Sequence, residues 1–101
     1  MPVVTVALPR HSPELLGAVA DALARALGLG DGDVIVSHVE TSAPVASGRA
    51  PTGWWPVVTV HGSDRGELTA PARAAVETAV RNWADAGGVP LGGVWVTWLT
   101  P

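Results

Sequence analysis

The hydrophobic pattern of the chain changes period in the same order twice. Residues 3–8, VVTVAL, are apolar on both alternating faces apart from Thr5, which is the pattern of a strand buried on both sides. After Pro9-Arg10-His11, Leu16, Val19, Ala20, Leu23, Ala26 and Leu27 recur at the spacing of one helical face. Ser12 stands where an N-cap is needed and Pro13 suits the first helical position. Asp21 and Arg25 lie four apart on the opposite face, and Gly28 and Gly30 stop the helix. Asp31-Gly32-Asp33 reads as a turn, and residues 34–41 as a second strand containing His38 and Glu40.

The second half repeats the layout. Pro2-Val3-Val4-Thr5-Val6 recurs letter for letter as Pro56-Val57-Val58-Thr59-Val60, opening a strand over 56–61. A turn, Gly62-Ser63-Asp64-Arg65-Gly66, leads to a helix that starts between Glu67 and Ala70, with Pro71 in its first turn, where a missing N–H does no harm. Ala72, Ala75, Val76, Ala79, Val80 and Trp83 form its apolar stripe. Arg73, Glu77, Arg81 and Asp85 form a four-residue ladder on the solvent side. Gly87-Gly88 ends this helix, Pro90 prevents its resumption, and residues 94–100 form a fourth strand with Trp95 and Trp98 on opposite faces.

The chain therefore reads as one domain over 1–101. Repeat one covers 2–41, a connecting loop 42–55, and repeat two 56–101. Strands joined by such a helix are parallel and the crossover is right-handed. Two tandem β-α-β units predict an α/β fold: a four-stranded mixed sheet with two helices on one face. The other face stays apolar, which points to association with further copies. The loop, at fourteen residues, is long for a segment without structure of its own. Arg49 is its only charge, and Trp54-Trp55 closes it.

Composition narrows the function. Of 101 residues, 48% are hydrophobic and 15% charged, as in a folded chain. A net charge of −3 without a basic cluster argues against a nucleic-acid partner. The absence of Cys removes disulfides, thiol catalysis and Cys-ligated metal. No apolar run spans a membrane and no signal peptide is recognisable, so a cytoplasmic location is expected. His11, His38 and His61 are too scattered for a metal motif, and no cofactor is implied.

The layout, the Met1-Pro2 opening, the repeated PVVTV and Ser12 at the helix start resemble the tautomerase superfamily, which includes 4-oxalocrotonate tautomerase and macrophage migration inhibitory factor. The second half, Trp55-Pro56-Val57-Val58-Thr59-Val60-His61 running into Asp64-Arg65-Gly66, is most similar to the domain-of-unknown-function 1904 family within it. The resemblance implies a homotrimer and a tautomerase that uses an amino-terminal proline, Pro2, as general base on a small 2-keto or enol carboxylate. There are departures. That family often carries an acid where Thr59 stands, and an Arg in its first strand that is absent here. Tautomerases of the 4-oxalocrotonate type place an Arg at the start of the second strand, where this chain has Val34 and Ile35.

The residues themselves support a consistent chemistry. A free α-amine titrates at about 7.7–8.0. Burial or a nearby cation lowers this towards neutrality, so that the neutral amine can move a proton between carbon and oxygen. The role requires removal of Met1, because otherwise the Pro2 nitrogen is an amide. Pro56 is internal and cannot act as a base. If the two PVVTV strands are antiparallel neighbours, Pro2 lies beside the far end of the second one, which leads to His61, Asp64 and Arg65. The expected site is Pro2 with Arg65 as carboxylate anchor, His61 as a polar contributor, and Trp54 or Trp55 as an apolar wall. By the same symmetry Arg10 and His11 lie near Pro56. For Arg65 the plainer alternative is a turn residue paired with Asp64 or Glu67. For His38 and His61 it is a satisfied sheet histidine, and for the Trp residues it is core or interface, with Trp83 in the core. The rival function is a non-catalytic trimer with a binding or assembly role. Hydrolytic dehalogenation on the same scaffold needs a water-activating acid near Pro2, and the sequence places none there.

Overall fold

In the computed structural model of the chain the described residues are 2–101. At its centre β1 (Val3–Leu8) and β3 (Val57–His61) run antiparallel, with Thr5 opposite Thr59. Each carries a parallel neighbour on its outer side. β2 (Ile35–Glu40) pairs with β1, and β4 (Trp95–Leu99) pairs with β3, giving the order β2-β1-β3-β4. Helices α1 (Pro13–Leu27) and α2 (Thr69–Gly87) make the two crossovers, the second preceded by a 3-10 turn at Gly66–Leu68. This is the mixed four-stranded sheet that the repeated pattern predicts, with the two outer strands one residue shorter at each end.

The helix boundaries follow local chemistry. The Ser12 hydroxyl accepts from the Leu15 N–H at 3.3 Å, Pro13 occupies the first turn, and Gly28 closes α1 in the left-handed region at φ 67°. Gly88 closes α2 in the same way at φ 65°. Alternation in the central strands sends Val4, Val6, Leu8, Val58 and Val60 under the helices, where they are fully buried against Leu15, Val19, Leu23, Val76 and Val80. Burial of each such side chain is worth about 1.5–3 kcal/mol. In α2 the buried line is Ala72, Val76, Val80 and Ala84. Trp83, expected in the core, packs on it from the margin, because its indole N–H turns to the Ser12 hydroxyl at 3.1 Å. Of the expected ladder, Arg81 and Glu77 form the one ion pair among the described residues, at 3.4 Å and exposed. Such a pair contributes little.

Residues 42–53 carry no helix or strand. The loop is clasped at its end: the Trp54 N–H donates to the Pro90 carbonyl at 2.9 Å and the Gly92 N–H donates to the Trp54 carbonyl at 2.8 Å. The backbones are close enough that a Cβ on Gly53 would lie 2.8–2.9 Å from Pro90–Gly92 main-chain atoms. The Trp55 ring lies on Gly93, where a Cβ would come within 2.6 Å of it.

The face without helices carries Val3, Ile35, Val39, Val57, Trp95 and Leu99, all exposed. Trp98, as its alternation predicts, lies on the opposite face from Trp95 and packs against the core.

The clasp predicts an asymmetry between two glycine substitutions. Gly53→Ala meets fixed backbone and should destabilise by about 1–3 kcal/mol in urea unfolding. Gly93→Ala meets the half-exposed Trp55 ring, which can swing away. It should shift tryptophan emission at a smaller cost in stability.

Candidate active site

The antiparallel register brings four strand ends together around Pro2. Val3 pairs with both Ile35 and His61, and His61 pairs with Leu99. The Pro2 side chain is fully buried, and its carbonyl accepts the Ile35 N–H at 3.2 Å. Across from it stands Gly62, whose N–H donates to the Leu99 carbonyl at 3.1 Å. A Cβ at Gly62 would rest 3.6 Å from Pro2 Cα and Cβ, so the proline ring packs directly on a residue without a side chain.

The turn after Gly62 is tied at three points. The Ser63 carbonyl accepts the Trp98 indole N–H at 3.2 Å. Asp64 Oδ1 accepts the Gly66 N–H at 2.8 Å, with Gly66 at φ +57°, a region that favours glycine. The Arg65 N–H donates to Thr69 Oγ1 at 3.2 Å. Arg65 is thus held at the mouth of the turn, and its Nε is buried without a hydrogen-bond partner. Leaving a buried donor unpaired costs about 1–3 kcal/mol, more when the group is charged. Pairing of Arg65 with Asp64 or Glu67, the plainer expectation, is not formed among the described residues.

The structure brings Pro2, His61 and Arg65 to one end of the sheet. His61 follows the odd-numbered alternation, and its side chain is exposed on the helix-free face. Trp54 and Trp55 do not join them within the chain. β3 runs against β1, so the residues before Pro56 lie at the carboxyl end of β1, where Ala7 pairs with Val57 and Trp54 bridges to Leu91. The aromatic at the Pro2 end is instead Trp98, which sequence reasoning assigned no part in the site. The signal was available: β4 is parallel to β3 and must end where β3 ends.

The opposite end holds the symmetry-related set. Arg10, His11, Ser12, Glu14 and Trp83 line an open cavity of about 360 Å³. The Ser12 hydroxyl donates to Glu14 at 3.1 Å while accepting from Leu15 and Trp83. His38 Nε2 donates to the Leu8 carbonyl at 2.8 Å, with the His11 ring 5.1 Å from its own. His38 is therefore a satisfied sheet histidine. Pro56 is buried there, and as an internal residue it offers no amine. No group of three or more His, Asp or Glu among the described residues is arranged to hold a metal. No helix among them is long and apolar enough to cross a membrane.

This architecture is the tautomerase fold. Solved structures similar to the chain include a fused 4-OT that is a symmetric trimer, at TM-score 0.75 and 24% identity, with 98% of this chain and 85% of that one covered. Macrophage migration inhibitory factor of Toxoplasma gondii matches at TM-score 0.67 and 20% identity, over 98% and 89%. FG41 malonate semialdehyde decarboxylase, inhibited by 3-bromopropiolate, matches at 0.70 and 16%, over 98% and 82%. At these identities the shared property is the fold. No family model and no curated protein matches the chain.

The Ser12–Glu14 contact makes a pH-dependent contribution. The Glu14 carboxyl is held below its ordinary value, chiefly by its own backbone N–H and then by the Ser12 hydroxyl, with His11 adding to the effect. A depressed folded-state value stabilises the fold above the unfolded-state value, and this is lost as pH falls through the folded one. Glu14→Gln should therefore lower the urea midpoint slightly near neutral pH and leave it unchanged in strong acid. An equal loss at both would mean that the charge plays no part.

Proposed function

We propose that the chain is a tautomerase acting on a small 2-keto or enol carboxylate, with Pro2 as general base and Arg65 as carboxylate anchor. The observation that carries this reading is the buried, unpartnered Nε of Arg65, on the turn that follows the residue against which Pro2 packs. A substrate carboxylate would give that donor its acceptor through a charge-assisted bond. Once Met1 is removed, an event outside the described residues, Pro2 becomes a secondary amine. Its apolar burial and the Arg65 cation both disfavour the protonated form. The neutral amine takes a proton from the carbon next to the carbonyl, and a proton returns to the oxygen. The product is an isomer, with no net change in oxidation state and no cofactor needed. His61 and Trp98 border this end of the sheet. Trp54 and Trp55 of one chain would reach a Pro2 site only in another copy.

The reading includes a homotrimer in the cytoplasm. Trimeric neighbours of the same fold and the exposed apolar face support the assembly. A second reading, a non-catalytic trimer, is favoured by the complete burial of Pro2.

Turnover separates the two. With phenylpyruvate as probe, enol-keto conversion should be measurable and should fall to background in Pro2→Ala. In Arg65→Ala it should drop by about 100-fold or more, as expected for loss of a charged anchor worth roughly 3 kcal/mol. Turnover unchanged in either variant would refute the role given to that residue.

A further inference from the structure

Trp83 follows the apolar stripe of α2 and yet is only half-buried. Its indole N–H donates to the Ser12 hydroxyl at 3.1 Å, which fixes the ring at the margin between the start of α1 and the end of α2. The ring borders the open cavity of about 360 Å³ at this end of the sheet, a volume in the range of small-molecule sites. The rest of the wall is of two kinds. Ala86, Gly87 and Val89 are apolar or lack a side chain, whereas Arg10 and Glu14 carry opposite charges.

Neither charge is paired within the chain. Arg10 and Glu14 form no ion pair among the described residues. One Glu14 oxygen, Oε2, accepts from Ser12 at 3.1 Å, and the other has no side-chain partner among them. A single hydroxyl therefore fixes both the indole and the carboxylate. The Glu14 carboxyl is held below its ordinary value, chiefly by its own backbone N–H and then by Ser12, so it is ionised at neutral pH. The carboxyl end of α2 reaches the same cavity through Ala86 and Gly87, and such an end is electronegative. No basic residue stands in the last turn of α2 to offset it, and Asp85 adds to it.

A carboxylate, a helix carboxyl end and an indole face each favour a cation, and an ammonium group fits all three. Arg10 excludes a ligand that is a cation alone. It would repel one, and its guanidinium fits a carboxylate instead. His11 also lines the cavity, but its ring lies against that of His38, with centroids 5.1 Å apart. We propose that this cavity binds a free α-amino acid with an apolar side chain, its ammonium between Glu14 and the Trp83 ring and its carboxylate on Arg10. The ligand side chain meets Ala86 and Val89, where the wall offers no polar side chain. The site lies at the opposite end of the sheet from Pro2 and Arg65 and does not rest on their chemistry.

Titration with L-leucine and L-phenylalanine, followed by the NMR signal of the Trp83 indole N–H, tests it. Trp83→Phe assigns that signal. At least one of the two should shift it saturably, with a midpoint in roughly the millimolar range, because the charges are exposed and screened. The N-acetyl form of that amino acid lacks the ammonium and its carboxamide lacks the carboxylate. Each should bind about tenfold or more weakly, which tests the two contacts without changing the protein. Glu14→Gln, which keeps an acceptor for Ser12, and Arg10→Gln should each weaken binding to a similar extent. Arg65→Ala should leave it unchanged. The absence of a saturable shift with either amino acid would overturn the site. Equal binding of the N-acetyl form or the carboxamide would overturn the recognition of both charges. A shift lost in Arg65→Ala would put the ligand at the other end of the sheet and overturn the proposal as well.

Discussion

The antiparallel pairing of β1 with β3 is the constraint on which the rest of the structure depends. It sets Thr5 opposite Thr59 and makes the two β-α-β units halves of one sheet. Because the paired strands share the sequence PVVTV, their buried alternation is the same. Val4 and Val6 on one side and Val58 and Val60 on the other meet both helices in one core. A slip of one residue in this pairing would turn each set to the opposite face. The same pairing carries the ends of β2 and β4 to the two ends of the sheet, where all the candidate chemistry lies.

Those two ends are alike in backbone and unlike in chemistry. At one, Pro2 faces Gly62, and Arg65 sits on a turn tied by Trp98, Gly66 and Thr69, with a buried donor left unpaired. At the other, Pro56 is internal, and no buried side-chain polar atom there, among the described residues, lacks a partner. Ser12 bonds Leu15, Glu14 and Trp83, and His38 bonds the Leu8 carbonyl. A buried donor without a partner leaves room for a ligand acceptor, and only the first end has one among the described residues. This difference, and not the presence of the Pro-Val-Val-Thr-Val motif, separates the candidate active site from its structural twin.

Much of the fold was legible in the sequence because its signals are local. Ser12-Pro13 and the Gly28 and Gly88 stops act within a turn of where they stand, and the alternation of each strand is read from its own residues. The adjacency of Pro2 to the Arg65 turn was also legible, since it follows from the antiparallel arrangement alone. Trp54 and Trp55 lie at the other end of the sheet within the chain, because β3 runs against β1 and the residues before it follow the carboxyl end of β1. Trp98 stands at the Pro2 end because β4 runs parallel to β3, a direction that no local signal in its own residues carries. For Trp83, periodicity fixes a face and not the depth at which a long indole settles when its N–H needs an acceptor. The cavity that Arg10 and Glu14 share with Trp83 was not legible, since it exists only once α1 and α2 are packed side by side.

Proton transfer by Pro2 requires that its nitrogen be an amine. Intact mass spectrometry of the protein purified from its native cells tests this. The expected mass is that of a chain shorter by one methionine residue, with Pro2 at the amino terminus. A mass that includes Met1 would make that nitrogen an amide, and no proton transfer by Pro2 would remain.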